Sequence, residues 1–175
     1  MILKILKGFK QKSNKKYLDA IINSRETNVN SNKIKSLGVI FCIDEMEDFE
    51  IFRNLAETIK VRPNRLKIIA YTESLKDAPN FWDTYYHSED FGWNGKIKNV
   101  ELQSFLDAEF DALVSYYEKD ILELKLLTAM SKAKFKVGIL QSDERLNDFI
   151  IKTKLKEFYL FRKELVRYLN IFKKI

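Results

Sequence analysis

Cys42, Asp44 and Glu45 stand together at the end of an apolar run, KIKSLGVIFCIDE. A thiol beside two carboxylates could do nucleophilic or acid–base chemistry, provided a base or a positive field generated the thiolate. Neighbouring negative charge works the other way and raises a thiol's pKa. The spacing therefore fits a small buried residue closing a strand, with Asp44 as the N-cap of a following helix. His87, the only histidine, lies in YYHSED beside Ser88, Glu89 and Asp90. A histidine–carboxylate pair can serve as a general base. A lone histidine among aromatics is more often a packing residue with one hydrogen bond.

Phosphate-binding chemistry has no residues to run on. No G-x-G-x-x-G follows the apolar run, no G-x-x-x-x-G-K-[ST] occurs anywhere, and FCIDEMED puts carboxylates where a phosphate would sit. No cofactor is expected. One cysteine is too little sulfur for a thiolate zinc site, one histidine excludes a His-rich metal site, and no motif organises Asp44, Glu45, Glu73 or Asp120 around magnesium. No metal is expected either, and no residue is assigned a catalytic role.

The elements that must position these groups are legible from periodicity. Residues 33–43, 66–73, 110–117 and 134–140 are apolar runs without helical period and read as buried strands, and 148–154 reads as a short edge strand. Residues 45–60, 99–110, 122–133 and 155–175 place apolar side chains three and four apart and read as helices. Strand, helix, strand within about 40 residues is a right-handed parallel βαβ unit. The alternation predicts an α/β protein: a small three-layer Rossmann-like or flavodoxin-like sandwich on a mainly parallel sheet of about five strands. A basic N-terminal helix and a long C-terminal helix complete it. Residues 1–32 read as a basic helical extension with a polar linker, and 33–175 as a single α/β domain. Any ligand crevice should lie at the carboxyl ends of the strands.

Between the second strand and the next helix lies FWDTYYHSEDFGWNGKI, residues 81–97, with six aromatics in seventeen positions. Its aromatics alternate too irregularly with acids for a strand. Phe81, Trp82 and Phe91 are expected to fill the crevice, leaving Tyr86, His87 or Trp93 for a ligand.

Charge divides the 175 residues unevenly. Residues 1–36 carry nine Lys/Arg against two acids (+7), residues 151–175 carry eight against two (+6), and the stretch between them is −7 within a total of +6. Basic ends around an acidic body suit a polyanion. The candidates are Lys4, Lys7, Lys10, Lys12, Lys15 and Lys16 near one end, and Lys156, Lys163, Arg167 and Lys174 near the other. Ile2, Ile5, Leu6 and Phe9 share one side of a helical wheel, as in an interfacial anchor. No run approaches the ~20 apolar residues of a membrane span, and a single cysteine fits a reducing, cytoplasmic setting.

KIKSLGVIFCIDE followed by KDAPNFWDTYYHSEDFGWNGKIKNVELQSFLDAEFDALVSYYEKDILELKLLTAMSKAKFKVGI resembles a family of small uncharacterised cytoplasmic proteins from Bacteroidota. FGWNGKIK and FDALVSYY…AKFKVGI are its most specific parts. The resemblance implies a cytoplasmic α/β protein and carries over no activity. DALVS leading through a helix to KFKVG is also similar to a strand–helix–strand of heptosyltransferase-type glycosyltransferases, without the second domain such an enzyme needs. The expected function is binding or assembly without catalysis, on RNA or the ribosome through the basic termini. The alternatives are a small-metabolite enzyme with its site under the aromatic loop, in which Glu73, Tyr116 and His87 would meet, and a membrane-surface or protein-partner contact through the first helix.

Overall fold

The computed structural model describes residues 2–27, 29–75, 85–141 and 143–175. Helix α1 (Ile2–Asn23) precedes the first strand. The described elements then run β1 (Leu37–Cys42), α2 (Glu50–Thr58), β2 (Leu66–Tyr71), β3 (Tyr85–Tyr86), α3 (Val100–Asp107), β4 (Ala112–Tyr116), α4 (Leu122–Met130), β5 (Lys136–Ile139), β6 (Phe149–Ile151) and α5 (Phe158–Ile171). All six strands are parallel, in the order β3-β2-β1-β4-β5-β6. This is the doubly wound nucleotide-fold order, whose direction reverses between β1 and β4.

Why the strands are buried on both sides follows from their period of two. Val39 and Phe41 of β1, Ala112, Val114 and Tyr116 of β4, and Val137 and Ile139 of β5 point to one face, where Phe52, Leu55 and Ala56 of α2 and Phe161, Leu165 and Leu169 of α5 cover them. Ile40 and Cys42, Leu113 and Tyr117 point to the other, under Leu18 and Ile22 of α1, Leu102, Phe105 and Leu106 of α3, and Leu124 and Leu127 of α4. The result is the expected three-layer sandwich. Gly38 belongs to the second face, where a Cβ would lie 2.8 Å from the Phe110 ring.

Three local expectations are corrected. Tyr85 and Tyr86 pair with Ala70 and Tyr71, so the aromatic segment supplies a sixth, two-residue strand. Helix α2 begins at Glu50, not at residue 45. Its first free amide, that of Glu50, donates to Asp48 Oδ1 at 2.9 Å, and Asp44 plays no part in capping it. The last helix starts at Phe158, after a 3-10 turn over Leu155–Glu157. Phe81 and Trp82 of the aromatic segment, and Ser142 after β5, lie outside the described residues.

Candidate functional site

The switch point between β1 and β4 is where a fold of this order keeps its ligand. After Cys42 the chain turns sharply, with the amides of Glu45 and Met46 both donating to the Cys42 carbonyl at 3.2 Å. That turn throws two adjacent carboxylates in opposite directions. Asp44 reaches toward the end of β2, accepting from Thr72 Oγ1 and from the Glu73 amide, each at 2.8 Å. Glu45 reaches across to the end of β4, accepting from the Glu118 amide at 3.1 Å through either oxygen and from the Lys119 amide at 2.8 Å.

Lys119 closes the group. Its Nζ donates to Glu73 at 2.9 Å and lies 4.0 Å from Asp44. Consecutive backbone amides at strand ends are natural anion sites; here they hold the protein's own anions. Burial pushes the Glu45 carboxyl above the ordinary carboxylate range, against the pull of the two amides it caps. The Glu73 carboxylate raises Lys119.

Cys42 is fully buried, with Sγ 3.9 Å from Asp44 Oδ2. Burial first, then the Asp44 and Glu45 charges, push its thiol up to about 12. It is a packing residue with no thiolate near neutral pH.

On the far side of β4 the strand ends are closed by a neutral network. Ser115 Oγ donates to Asn147 Oδ1 (2.8 Å), Asn147 Nδ2 to Gln141 Oε1 (2.7 Å), and Gln141 Nε2 to the Ser115 carbonyl (3.1 Å). All three side chains are buried. Gly138 makes room for them, since a Cβ there would stand 2.4 Å from Asn147 Nδ2.

Toward β2 and β3, the Thr72 amide donates to the Tyr86 carbonyl (2.9 Å), and Tyr86 itself is buried. His87 caps the 3-10 turn Ser88–Asp90: its Nδ1 accepts from the Glu89 amide at 3.4 Å, and its own amide donates to Asp90 Oδ2 at 2.9 Å. Glu73, Tyr116 and His87 belong to three separate networks. Tyr116 faces the α2/α5 layer, where its hydroxyl donates to the Leu155 carbonyl at 2.9 Å. Among the described residues no group of three or more His, Cys, Asp or Glu is arranged to hold a metal ion.

The second half of the aromatic segment has a different task. Asn14 of α1, 1% exposed, donates to the Gly92 carbonyl at 3.0 Å and accepts from the Gly95 amide at 2.9 Å. Ser13 bonds Asn94, and Lys10 Nζ donates to the carbonyls of Ser88 and Phe91, each at 3.0 Å. Gly95 has φ +70°, and a Cβ there would meet the Tyr17 ring at 2.2 Å. FGWNGKI is therefore a cradle for α1. Phe91 sits in the core beneath it, while Trp93 is 49% exposed.

Lys10, Asn14, Leu18 and Ile22, four residues apart, form the side of α1 that meets the domain. Ile2, Ile5, Leu6 and Phe9 lie on a different side and are 73%, 51%, 48% and 55% exposed. Lys4, Lys7, Lys12, Lys15 and Lys16 are exposed too, with Lys12 Nζ 5.9 Å from the Phe9 ring centre. At the other end Lys156, Lys163 and Arg167 are exposed, Arg167 paired with Glu164 at 2.5 Å. Lys174 turns inward, is 3% exposed, and donates to the Asn30 carbonyl at 2.5 Å beside the Phe135 ring. No helix among the described residues is long and apolar enough to cross a membrane.

An all-parallel sheet in nucleotide-fold order, its carboxyl edge closed by its own carboxylates and amides, defines the class: a doubly wound α/β protein carrying an outlying amphipathic helix. The chain belongs to a family of unknown function, DUF6913, whose profile matches residues 10–172. No curated protein and no solved structure matches it.

Proposed function

We propose that this is a non-catalytic, cytoplasmic binding protein that docks on an anionic membrane surface through the first half of α1. The observation that carries the reading is the exposed row Ile2, Ile5, Leu6 and Phe9 on a helix that carries six lysines and no acid before Asp19. Soluble proteins rarely leave such a row in water without a partner for it. Aliphatic side chains beside lysines match the boundary between acyl chains and anionic headgroups, and each lysine near such a surface adds about 1 kcal/mol. The cradle at Gly92–Gly95 supports the same reading, because it fixes which side of α1 faces outward.

Sedimentation with vesicles tests it. Binding is expected to vesicles containing phosphatidylglycerol and to fall away with neutral lipid or high salt. Leu6→Glu and Phe9→Glu are each expected to weaken it by about ten- to a hundredfold, in line with ~1.5–3 kcal/mol for a buried large apolar side chain. Equal binding to neutral and anionic vesicles, or none to either, sinks the proposal.

RNA or a ribosomal surface is the second reading, favoured by half-exposed Trp93 beside the lysine-rich α1. An exposed tryptophan can stack on an unpaired base for ~1–3 kcal/mol. Binding of single-stranded RNA that falls steeply with salt, weakens with Trp93→Ala and ignores Leu6→Glu would select this reading over the membrane.

A further inference from the structure

At the amino edge of the sheet, opposite the closed switch point, lies a cavity of about 530 Å³ between the end of α1 and the end of α4. Lys136, the first residue of β5, lines it and is 4% exposed. Its strand position points it to the α4 face, where Nζ donates to the carbonyls of Thr128 at 2.7 Å and Ala129 at 3.0 Å. Among the described residues no carboxylate is hydrogen-bonded to the amine. Asp148, just before β6, accepts the Lys136 backbone amide at 2.7 Å and pairs with Arg25. Arg25, Glu26, Glu109, Lys132, Lys134 and Asp148 are the charged groups that share the cavity wall.

We propose that Lys136 is a nucleophilic amine, and that this cavity captures small carbonyl compounds bearing a carboxylate or phosphate as an imine. Two donated hydrogen bonds satisfy the two protons of a neutral amine and leave a lone pair as the remaining direction at nitrogen. Burial first, and then the Arg25 charge, bring this amine down to about 7, so the neutral form is abundant near neutrality. The carbon–nitrogen bond forms as the lone pair attacks the carbonyl carbon. The carbon–oxygen bond then breaks, and the oxygen leaves as water with the two amine protons. Arg25, Lys132 and Lys134, which pair with Asp148, Asp107 and Asp111, are the cations of the wall that the anionic end of the ligand would meet.

Reductive trapping on the wild-type protein is the first test, and a single variant follows it. With glyoxylate and cyanoborohydride at pH 7.5, peptide mass spectrometry should find Lys136 labelled about tenfold faster than exposed Lys163. An ordinary lysine is only ~0.1% neutral at that pH. The Lys136 rate should rise through a midpoint near pH 7, and Arg25→Gln should move that midpoint upward while slowing glyoxylate more than acetaldehyde. Labelling no faster than Lys163, or appearing only in denaturant, overturns the proposal and leaves Lys136 as a cap on the α4 carbonyls. Equal rates with glyoxylate and acetaldehyde overturn its preference for anions. None of these readouts involves lipid or the first half of α1, so failure here and failure of the membrane proposal are told apart.

Discussion

The carboxyl edge of the sheet and the first half of α1 treat their functional groups in opposite ways. At the edge, the amides of Glu73, Glu118 and Lys119 and the hydroxyl of Thr72 are matched with Asp44 and Glu45, and Ser115, Gln141 and Asn147 satisfy one another. On α1, apolar side chains and ammonium groups are left facing solvent. The edge has the topology of a binding site with its donors already engaged. The first half of the helix has no inherited site topology, and its row of Ile2, Ile5, Leu6 and Phe9 is left exposed. Fold order alone is therefore a poor guide to where this protein meets its ligand.

The comparison breaks first if α1 is not truly fixed. Asn14→Leu leaves the buried Gly95 amide and Gly92 carbonyl without partners, at ~1–3 kcal/mol each. A loss of about 2–4 kcal/mol in urea unfolding is expected, with faster amide exchange across 10–22; unchanged exchange there would mean that the cradle does not hold the helix. Next, Gly138→Ala pushes a Cβ into Asn147 and should cost about 1–3 kcal/mol as overpacking does. An alanine accepted without loss would show that the neutral network at the closed edge is loose.

Lys136 offers a pH signature. Its amine is depressed in the folded state, so the unfolded chain binds more protons between about pH 7 and the ordinary lysine value. Stability should therefore rise with pH across that window, by no more than about 1.4 kcal/mol per unit, and Lys136→Met should flatten the rise. A wild-type curve already flat there would put the ammonium form in the folded protein.

Smaller effects sharpen the contrast. Glu45→Ala removes the acceptor of two strand-end amides that water can then reach, so about 1 kcal/mol is expected. If the edge is closed by Glu45 itself, this variant should gain weak phosphate binding, readable by titration calorimetry. Leu6→Glu, on the free row of α1, should shift stability by less than about 0.5 kcal/mol. A larger loss would mean that the row is packed after all.

Much of the fold could be read from residue pattern. The β1, β2, β4 and β5 strands lie in largely apolar runs, and β6 is a short apolar run followed by lysine, so local composition marked each of them. β3 carried no such mark, because two tyrosines become a strand only by pairing with Ala70 and Tyr71. Asp44 looked like a helix cap because a carboxylate before an apolar-periodic run usually is one. Its partners, Thr72 and the Glu73 amide, lie nearly thirty residues away. Lys136 did leave a trace: in KFKVGIL the period of two sets it on the side opposite Phe135 and Val137. A lysine directed under a helix by strand alternation marks a buried amine, but only the packed α4 end gives it carbonyls to bind.

By itself the sequence determined the layers, five of the six strands, the basic first helix and the absence of a phosphate loop, since these follow from side-chain periodicity and residue type along short stretches. Only the tertiary structure decided the strand order, the closing of the switch point and the outward face of α1. Each of those depends on hydrogen bonds and contacts between segments far apart in the chain, such as Glu45 with Glu118 and Asn14 with Gly92, and no local pattern encodes which distant amide a side chain will meet.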